Sequence, residues 1–414
     1  MTLKSFITGA VMAFITVLFL SCSGQKNRQP DIRNLEETLT HLCAPGYGGR
    51  EAGSGQDSIV ALSIARQMAD YGFEPLFAGG PLHKFRVRDL ESYNVVMVFR
   101  TGKRSVEHSG SVMLGAHYDH LGTGGPGSGS LKPDTLAIHP GADDNASGVA
   151  AVMETARLLA GRARRDKLGK DIIFAAFGAE EKGTLGSAKL ADTLAQLEML
   201  PSLMINLDMV GRLRDSVLQV SGTGTFEQAD SLLTASMEAT APLVLKTSPG
   251  GYGPSDHSVF YRHRVPVLFF TTGAHTDYHT PFDTPDKINY DGMAAIVAYV
   301  TSIAREVCRE GFQPVYRETA QPESSPERAA FKVSLGVIPD FTYEGEGFCA
   351  GTIIKGRPSD KAGMQNGDVV VQINDRPVKD INEYMDILGE LEEGQRIRII
   401  VRRNETLHHL VVQL

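Results

Sequence analysis

Apolar runs of strand length alternate with helix-like patterns between about residues 31 and 312. Continuous apolar runs of five to seven residues are typical of strands buried on both faces of a sheet. They predict strands at Tyr93 to Phe99, Ser111 to Ala116, Asp171 to Phe177, Leu203 to Leu207 and Val265 to Phe270. Helices are predicted at Gln56 to Tyr71, Ala146 to Ala160 and Asp291 to Glu310. This alternation predicts an α/β fold with a mostly parallel central sheet flanked by helices.

The pattern changes after residue 312. Residues 313–330 contain three prolines and little apolar periodicity, which is typical of a linker. Residues 331–414 contain short strand-like runs and one helical repeat near Ile381 to Glu390. We therefore expect a catalytic-size domain at 23–312, a linker, and a small β-rich domain at 331–414.

The amino-terminal segment has the layout of a secretory signal. Lys4 precedes an almost wholly apolar run at residues 6–20, and Ser21 and Cys22 follow it. The sequence LFLSC resembles a lipobox, in which Cys22 is acylated and becomes the mature amino terminus. We expect residues 1–22 to be a lipoprotein signal and the protein to lie at the periplasmic face of a membrane, or to be secreted. An uncleaved amino-terminal anchor helix is the alternative.

Charge and cysteine content exclude several classes of protein. Lys and Arg number 41 against 49 Asp and Glu, giving a net charge of −8, so no basic excess is available to bind nucleic acid. Four cysteines in 414 residues cannot form a disulfide framework, and no C-x-x-C pair suggests a zinc ribbon or a redox site. Any metal site must therefore consist of histidines and carboxylates.

Residues of that kind follow the predicted strands. They are His117 and Asp119, Glu180 and Glu181, Asp208, and His279, with Asp143 and Asp144 immediately before a predicted helix. Ligands of open α/β sheets bind outside the carboxyl ends of the strands, so these segments converge if the sheet is parallel there. Each residue alone has an ordinary explanation, such as an N-cap for Asp144. Together they are harder to explain, because an unpaired carboxylate inside the apolar run around Asp208 would cost several kcal/mol.

The motifs resemble those of the co-catalytic zinc exopeptidases that include bacterial leucyl aminopeptidase. HYDHLG, GADDNASG, GAEEKGTLGS, NLDMVGR, SDHSVF and DYHTPFDT occur in that family's order and spacing, over about residues 31 to 312. The resemblance implies two zinc ions, one held by His117 and Asp208 and the other by Glu181 and His279. It implies that Asp143 bridges the two ions, with a cis peptide between Asp143 and Asp144.

The resemblance also implies catalytic roles. Glu180 matches the general base that takes a proton from water and passes it to the leaving amine. Asp119, two residues after His117, is placed to accept a hydrogen bond from the other ring nitrogen of that ligand. Tyr252 matches a position near the substrate carbonyl and is expected to donate to the oxyanion; packing on a glycine-rich loop is the alternative. Asp256 and His257 are expected to be supporting structure.

The charges are consistent with this ligand set. Two dications carry four positive charges, which Asp143, Glu181, Asp208 and one hydroxide would balance. Nitrogen and oxygen ligands without thiolate suit zinc.

Residues 331–414 resemble a PDZ domain of the bacterial protease-associated kind. The matching pieces are VSLGV, the stretch from Gly351 to Val378, and the helix around Tyr384. Such domains bind an extended peptide as an added strand and hold its terminal carboxylate on backbone N–H groups. The resemblance places that loop at Leu335, Gly336 and Val337. A PDZ fold that only packs on the catalytic domain is the alternative.

These observations predict a lipid-anchored metallo-aminopeptidase that removes amino-terminal residues from peptides. A glutaminyl cyclase shares the fold but uses one zinc, and the presence of both His117 and Asp208 argues against it. A carboxypeptidase of the same superfamily stays open, because the motifs do not fix the direction of cleavage. The alternative from another class is a non-catalytic protein that presents the PDZ groove, and the intact ligand motifs with Glu180 argue against it.

Overall fold

The computed structural model describes residues 29–102, 110–132, 135–240, 242–319, 333–340, 343 and 345–414. The expected signal segment at residues 1–22, with Cys22, and residues 320–330 of the expected linker lie outside the described residues. None of the helices in the described part of the chain combines the length and hydropathy needed to cross a membrane.

The first domain is a layered α/β structure. Its helices are α1 (Ile32–Leu42), α2 (Asp57–Asp70), α3 (Gly148–Arg162), α4 (Leu185–Gln196), α5 (Ala229–Glu238), α6 (His257–Arg262) and α7 (Tyr290–Val307). Its strands are β1 (Glu74–Pro75), β2 (Leu82–Val87), β3 (Leu90–Phe99), β4 (Ser111–His117), β5 (Asp171–Phe177), β6 (Leu203–Leu207), β7 (Val217–Ser221), β8 (Val244–Ser248) and β9 (Val267–Thr271). Side-chain caps define two helix starts: Asp31 accepts from the Arg33 N–H and Asn289 from the Gly292 N–H.

The strands form one mixed sheet in the order β1-β3-β5-β4-β6-β9-β7-β8, with β2 paired to β3. The central strands β5, β4, β6 and β9 are parallel, and they coincide with the continuous apolar runs of the sequence. The prediction of an α/β fold is confirmed. The strands that flank the parallel centre run in the opposite direction, because β3 pairs antiparallel to β5 and β7 pairs antiparallel to β9.

Helices cover both faces of the sheet. One core contains side chains of α1, α2, α3, α5 and α7, with Leu35, Val149 and Val300 fully buried. The other contains α4 and α6, with Leu190 and Phe260 fully buried. The parallel strands are therefore enclosed between two apolar layers, and polar chemistry is confined to their ends.

The second domain is a small β-structure. It consists of β10 (Val337–Pro339), β11 (Phe348–Ile353), α8 (Pro358–Lys361), β12 (Val369–Ile373), β13 (Arg376–Pro377), α9 (Ile381–Glu390), β14 (Arg396–Arg403) and β15 (Thr406–Gln413). The strand order is β10-β11-β12-β14-β15, and β13 pairs with β12. Its own core includes Phe348, whose ring stacks on that of Tyr384 with centroids 3.7 Å apart.

The motif Asn366 to Asp368 has a structural role in this domain. The Asn366 side chain accepts from the Ile353 N–H at 2.8 Å, and Gly367 has a φ of 86°. The buried Asp368 carboxylate pairs with Arg403 at 2.7 Å. The motif therefore fixes the turn into β12 and reports on the fold of the domain.

Candidate metal centre

The carboxyl ends of the parallel strands carry the polar cluster. His117 is the last residue of β4, and Asp208 directly follows β6. Glu180 and Glu181 lie in the turn after β5, and His279 lies in the loop after β9. Because these strands run parallel, their ends meet at one edge of the sheet. The turn at Ala142–Ser147, which precedes α3, reaches the same edge.

Two groups of ligand atoms share the carboxylate of Asp144. On one side, Nε2 of His117 lies 3.3 Å from Asp144 Oδ1 and 3.4 Å from Asp208 Oδ1. On the other, Nε2 of His279 lies 3.1 Å from Asp144 Oδ2 and 3.2 Å from Glu181 Oε2. We call the space between His117, Asp144 and Asp208 the first position. The space between Asp144, Glu181 and His279 is the second position.

The structure corrects the expectation for Asp143. Its Oδ1 accepts from the Ser147 hydroxyl at 2.9 Å and from the Gly211 N–H at 2.6 Å. Its Oδ2 lies 3.2 Å from Nε2 of His275. The carboxylate of Asp143 is thus held away from His117 and His279, and that of Asp144 lies between them. The cis peptide bond is Asp144–Asn145, one residue later than expected.

A second layer of polar residues holds the turn that carries Asp144. The Asp283 Oδ2 accepts from the backbone N–H groups of Asp143 and Asp144 at 2.8 and 3.1 Å. Arg212 in turn donates to Asp283 Oδ1 at 3.0 Å. Asp283 had no predicted role, although it belongs to the DYHTPFDT motif four residues after His279.

Arg50 supports the same turn from the opposite side. Its guanidinium is almost completely buried and donates to four backbone carbonyls. These belong to Tyr118, Leu42, Pro140 and Gly141, at 2.5 to 3.0 Å. These hydrogen bonds join three segments of chain, since Pro140 and Gly141 are neighbours while Tyr118 and Leu42 each belong to another segment. Its role was missed because nothing in the local sequence distinguishes Arg50 from a surface arginine.

Asp119 connects the end of β4 to the Glu180 turn. Its carboxylate accepts from the backbone N–H groups of Glu180 and Glu181 at 2.9 and 3.2 Å. The Asp119 Oδ1 lies 3.7 Å from Nδ1 of His117, and the Asp119 backbone oxygen is closer, at 3.2 Å. The position beside the ring nitrogen agrees with the expectation, but the shorter contact is to the main chain. The buried Glu180 is thereby fixed beside Glu181.

Two histidines without a predicted role lie around the second position. Nδ1 of His120 lies 2.9 Å from Glu181 Oε1, so it orients that carboxylate. Nε2 of His139 contacts the Ser130 hydroxyl at 2.8 Å, at the end of the glycine-rich segment 122–129. His120 follows His117 by three residues in HYDH, which was the available signal for it.

Tyr252 lies apart from these contacts. Its ring packs edge-on against that of Tyr261, with centroids 4.9 Å apart. In the SDHSVF motif that follows, the His257 ring stacks on Phe269 with centroids 4.3 Å apart. Burial lowers the pKa of His257 to about 3 and raises that of Asp256 to about 7. The supporting role expected for Asp256 and His257 agrees with their burial.

The cluster attracts positive charge. Burial opposes protonation of His117, but the carboxylates of Asp208 and Asp144 raise its pKa well above the usual range. Burial likewise opposes protonation of His279, whose pKa Glu181 and Asp144 raise well above the usual range. Burial would raise the pKa of Asp144, yet hydrogen bonds from both imidazoles hold it well below its usual range. Carboxylates that keep protons on two buried imidazoles also favour a divalent cation, which would bind where those protons lie.

The residues present fit a divalent metal. Ligand atoms of His117, Asp144 and Asp208 all lie within 4.8 Å of one another, and so do those of His120, Asp144 and Glu181. The donors are imidazole nitrogens and carboxylate oxygens, which suit zinc. The side chains of Asp208 and His279 are 15% and 14% exposed, against 2% for His117. The cluster therefore opens to solvent on the side of Asp208 and His279.

The sheet and its flanking helices define an α/β fold like that of solved zinc aminopeptidases. The chain belongs to Peptidase family M28, whose sequence model matches residues 94–304. A PDZ domain model matches residues 351–403.

Similar proteins include aminopeptidases. The chain is 28% identical over 221 residues to aminopeptidase YwaD of Bacillus subtilis, covering 51% of this chain and 44% of YwaD. It is 29% identical over 224 residues to the uncharacterized protein YfbL of Escherichia coli, covering 46% of this chain and 65% of YfbL. The matched region thus spans about two thirds or less of these relatives.

Solved structures show the fold. The zinc aminopeptidase BSAP of Bacillus subtilis superposes with a TM-score of 0.54 at 18% identity, covering 70% of this chain and 98% of BSAP. The glutaminyl cyclase of Porphyromonas gingivalis superposes with a TM-score of 0.54 at 18% identity, covering 67% of this chain and 99% of that protein.

Proposed function

We propose that the protein is a two-zinc aminopeptidase that removes amino-terminal residues from peptides. The observation that carries the proposal is the carboxylate of Asp144, which lies between His117 and His279 with Asp208 and Glu181 beyond them. His117 and Asp208 would hold one ion and Glu181 and His279 the other, with Asp144 shared. When bound, zinc would polarise the scissile carbonyl and lower the pKa of the attacking water.

Glu180 is proposed as the general base. It is buried beside the ligand Glu181, and the Asp119 carboxylate fixes the backbone N–H groups of both residues. In this role Glu180 accepts a proton from water and delivers it to the leaving amine. Asp119 fixes the direction of the turn, and its contacts beside Nδ1 of His117 also orient that ring. Tyr252 stays a proposed oxyanion donor, supported by its match to the family position near the substrate carbonyl.

The engagement of Arg212 supports cleavage from the amino end. The arginine behind the cluster, Arg212, is already engaged by Asp283 at 3.0 Å and by Asp277 at 3.4 Å. A carboxypeptidase would need a cation available to bind the substrate carboxylate.

The test is hydrolysis by zinc-loaded protein. Aminoacyl-nitroanilides are compared with N-acetylated analogues, with peptides that report cleavage at the carboxyl end, and with amino-terminal glutaminyl peptides that release ammonia on cyclisation. We expect turnover of the unblocked aminoacyl substrates. Turnover confined to the blocked, carboxyl-end or glutaminyl substrates would contradict the proposal and identify the alternative.

Replacement of the proposed base provides a separate prediction. Glu180→Gln is expected to lower kcat by about 10² to 10⁴, because the proton transfer loses its acceptor. Zinc content should be unchanged, since Glu180 is not one of the proposed ligands. The exposed Glu238→Gln is the matched control. A Glu180→Gln enzyme with the rate of the control would show that another group is the base.

We further propose that the protein is a lipoprotein of the cell envelope, on the strength of the lipobox-like sequence at Cys22. Labelling with radioactive palmitate should be lost in Cys22→Ser. Equal labelling of the variant would contradict this anchor.

A further inference from the structure

A small apolar contact joins the second domain to the catalytic domain. Ile354, which directly follows β11, is 5% exposed and packs with Ala274, which is 8% exposed. Leu131 and Tyr278 pack against this pair. We call these four residues the bridging cluster. Its catalytic-domain members lie on the two loops that flank the second position.

Two members of the bridging cluster contact His279 directly. The ring of Tyr278 stacks on the His279 imidazole, with centroids 3.9 Å apart and an angle of 18° between planes. The Leu131 N–H donates to the His279 backbone oxygen at 2.9 Å. Nδ1 of His279 contacts the Gly129 carbonyl at 3.1 Å, on the same loop as Leu131. With Nδ1 donating there, Nε2 is left to face Asp144 and Glu181.

Ile354 itself is fixed within the second domain. Its N–H donates to the Gly336 carbonyl at 2.9 Å, and its carbonyl accepts from the Arg357 N–H at 3.2 Å. Gly336 belongs to the loop at Leu335–Val337, so the Ile354 side chain projects from a held backbone. Contact with Ile354 therefore restricts the movement of the loop that carries His279. This restriction matters because His279 is more exposed than His117 and has a φ of 53°.

We propose that Ile354 is a positioning residue that acts through Tyr278 and Leu131 on His279, so that the PDZ domain completes the second position. The proposal rests on the proposed function, in which His279 is a zinc ligand. Removing the Ile354 side chain uncovers one side of the Tyr278 and Leu131 pair, and the imidazole loses its fixed direction. Groups that contact a ligand directly, as Tyr278 and Leu131 contact His279, typically change metal affinity by about 10- to 100-fold.

The experiment uses full-length Ile354→Ala with zinc affinity measured by chelator competition. We expect the zinc site at the second position to lose affinity about tenfold or more, while the other site and the thermal unfolding profile of the metal-free protein stay unchanged. Ile354→Leu retains the apolar contact and should restore the affinity. Val411→Ala, at an exposed position of β15, is the matched control and should behave as wild type.

A second variant tests the route from the catalytic side. Leu131→Ala should lower the zinc affinity of the same site. The double variant should bind zinc little more weakly than either single variant, because both changes remove the same contact. Additive losses, or an Ile354→Ala protein with the zinc affinities of Val411→Ala, would overturn the proposal. Wild-type protein that binds two zinc ions without hydrolysing aminoacyl substrates would contradict the proposed function alone. Wild-type protein that binds no zinc would overturn both.

Discussion

At the scale of single residues, the adjacent carboxylates of Asp143 and Asp144 have different partners because the backbone departs from helical geometry at Asp144 and Asn145. Asp144 has a φ of −106° and a ψ of 93°, whereas a regular helix start would have placed the two side chains differently. The hydrophobic pattern identified the turn and both carboxylates. It could not assign the shared position to one of them, since side-chain direction in such a turn depends on dihedral angles that the pattern does not set.

Substitution of the two carboxylates should separate their roles. Asp144→Asn is expected to lower zinc affinity by more than about 100-fold, because one charge shared by both positions is lost. Asp143→Asn should lower it by about 10- to 100-fold, because Asp143 only holds the surrounding turn. Zinc content after dialysis against a weak chelator measures both. The reverse order would restore Asp143 as the shared ligand.

His257 should make the fold sensitive to acid. Burial lowers its pKa to about 3, so the folded state holds the neutral ring below pH 6.5, where the unfolded chain binds a proton. Its stabilising contribution is complete above about pH 6.5 and is lost as the pH falls toward 3. Between pH 6.5 and pH 3 the free energy of unfolding is expected to fall by about 1.4 kcal/mol per pH unit from this group. Phe at this position retains the stack on Phe269 without titrating.

The measurement is urea unfolding of metal-free wild type and His257→Phe between pH 7 and pH 4. As the pH falls, the free energy of unfolding of the variant should decrease less steeply than that of the wild type. The two slopes should differ by the uptake of about one proton on unfolding. Arg262, whose charge also lowers the pKa of His257, is the same in both proteins. Parallel pH profiles would show that His257 does not titrate as expected.

At the scale of elements, the sequence predicted the buried centre better than the flanks. The runs at β5 and β6 were predicted with the observed bounds, because strands buried on both faces are continuously apolar. β8 was not predicted: its positions are mostly exposed or half-buried, and it has no apolar run. Antiparallel pairing at β3 and β7 was also missed, since strand direction depends on connections that periodicity does not contain. The helix α9 was predicted with its observed bounds.

Arg50 offers an element-level prediction, because it holds together the end of α1, the end of β4 and the turn before α3. Arg50→Met keeps an apolar side chain of similar length but removes the four hydrogen bonds that the guanidinium donates to backbone carbonyls. We expect the free energy of unfolding to fall by about 3 kcal/mol or more. Arg66→Met, on the exposed face of α2, should change it by less than about 0.5 kcal/mol. Urea denaturation measures both, and equal effects would mean that the buried hydrogen bonds contribute little.

At the scale of the whole molecule, the two domains have separate cores, and the proposed zinc site belongs to the first of them. Removing zinc leaves buried carboxylates and imidazoles to face one another, so the catalytic domain should lose stability. An ion present at 100 times its Kd contributes about 2.7 kcal/mol, and for a domain of this size each kcal/mol shifts Tm by roughly 2 to 4 °C. We expect chelation to lower the catalytic transition by about 5 to 10 °C and to leave the PDZ transition nearly unchanged.

Calorimetry is the suitable method for following both transitions, since the chain contains no tryptophan whose fluorescence could report unfolding. Ile399→Ala, in the core of the second domain, should lower only the PDZ transition and so identify it. Equal shifts in the Tm of both transitions on chelation would contradict the expectation that zinc stabilises only the catalytic domain.

The spacing of the cluster along the chain has a consequence for biosynthesis. The first position is complete once Asp208 has been made, but the second requires His279, and α7 must then pack on α3 to close the core. A ribosome adds about 5 to 20 residues per second, so a growing chain passes several seconds with half of the proposed zinc site absent. Under the proposed function, the chain would be synthesised without activity, and a prematurely terminated chain that ends before residue 279 would not attack the amino termini of its neighbours.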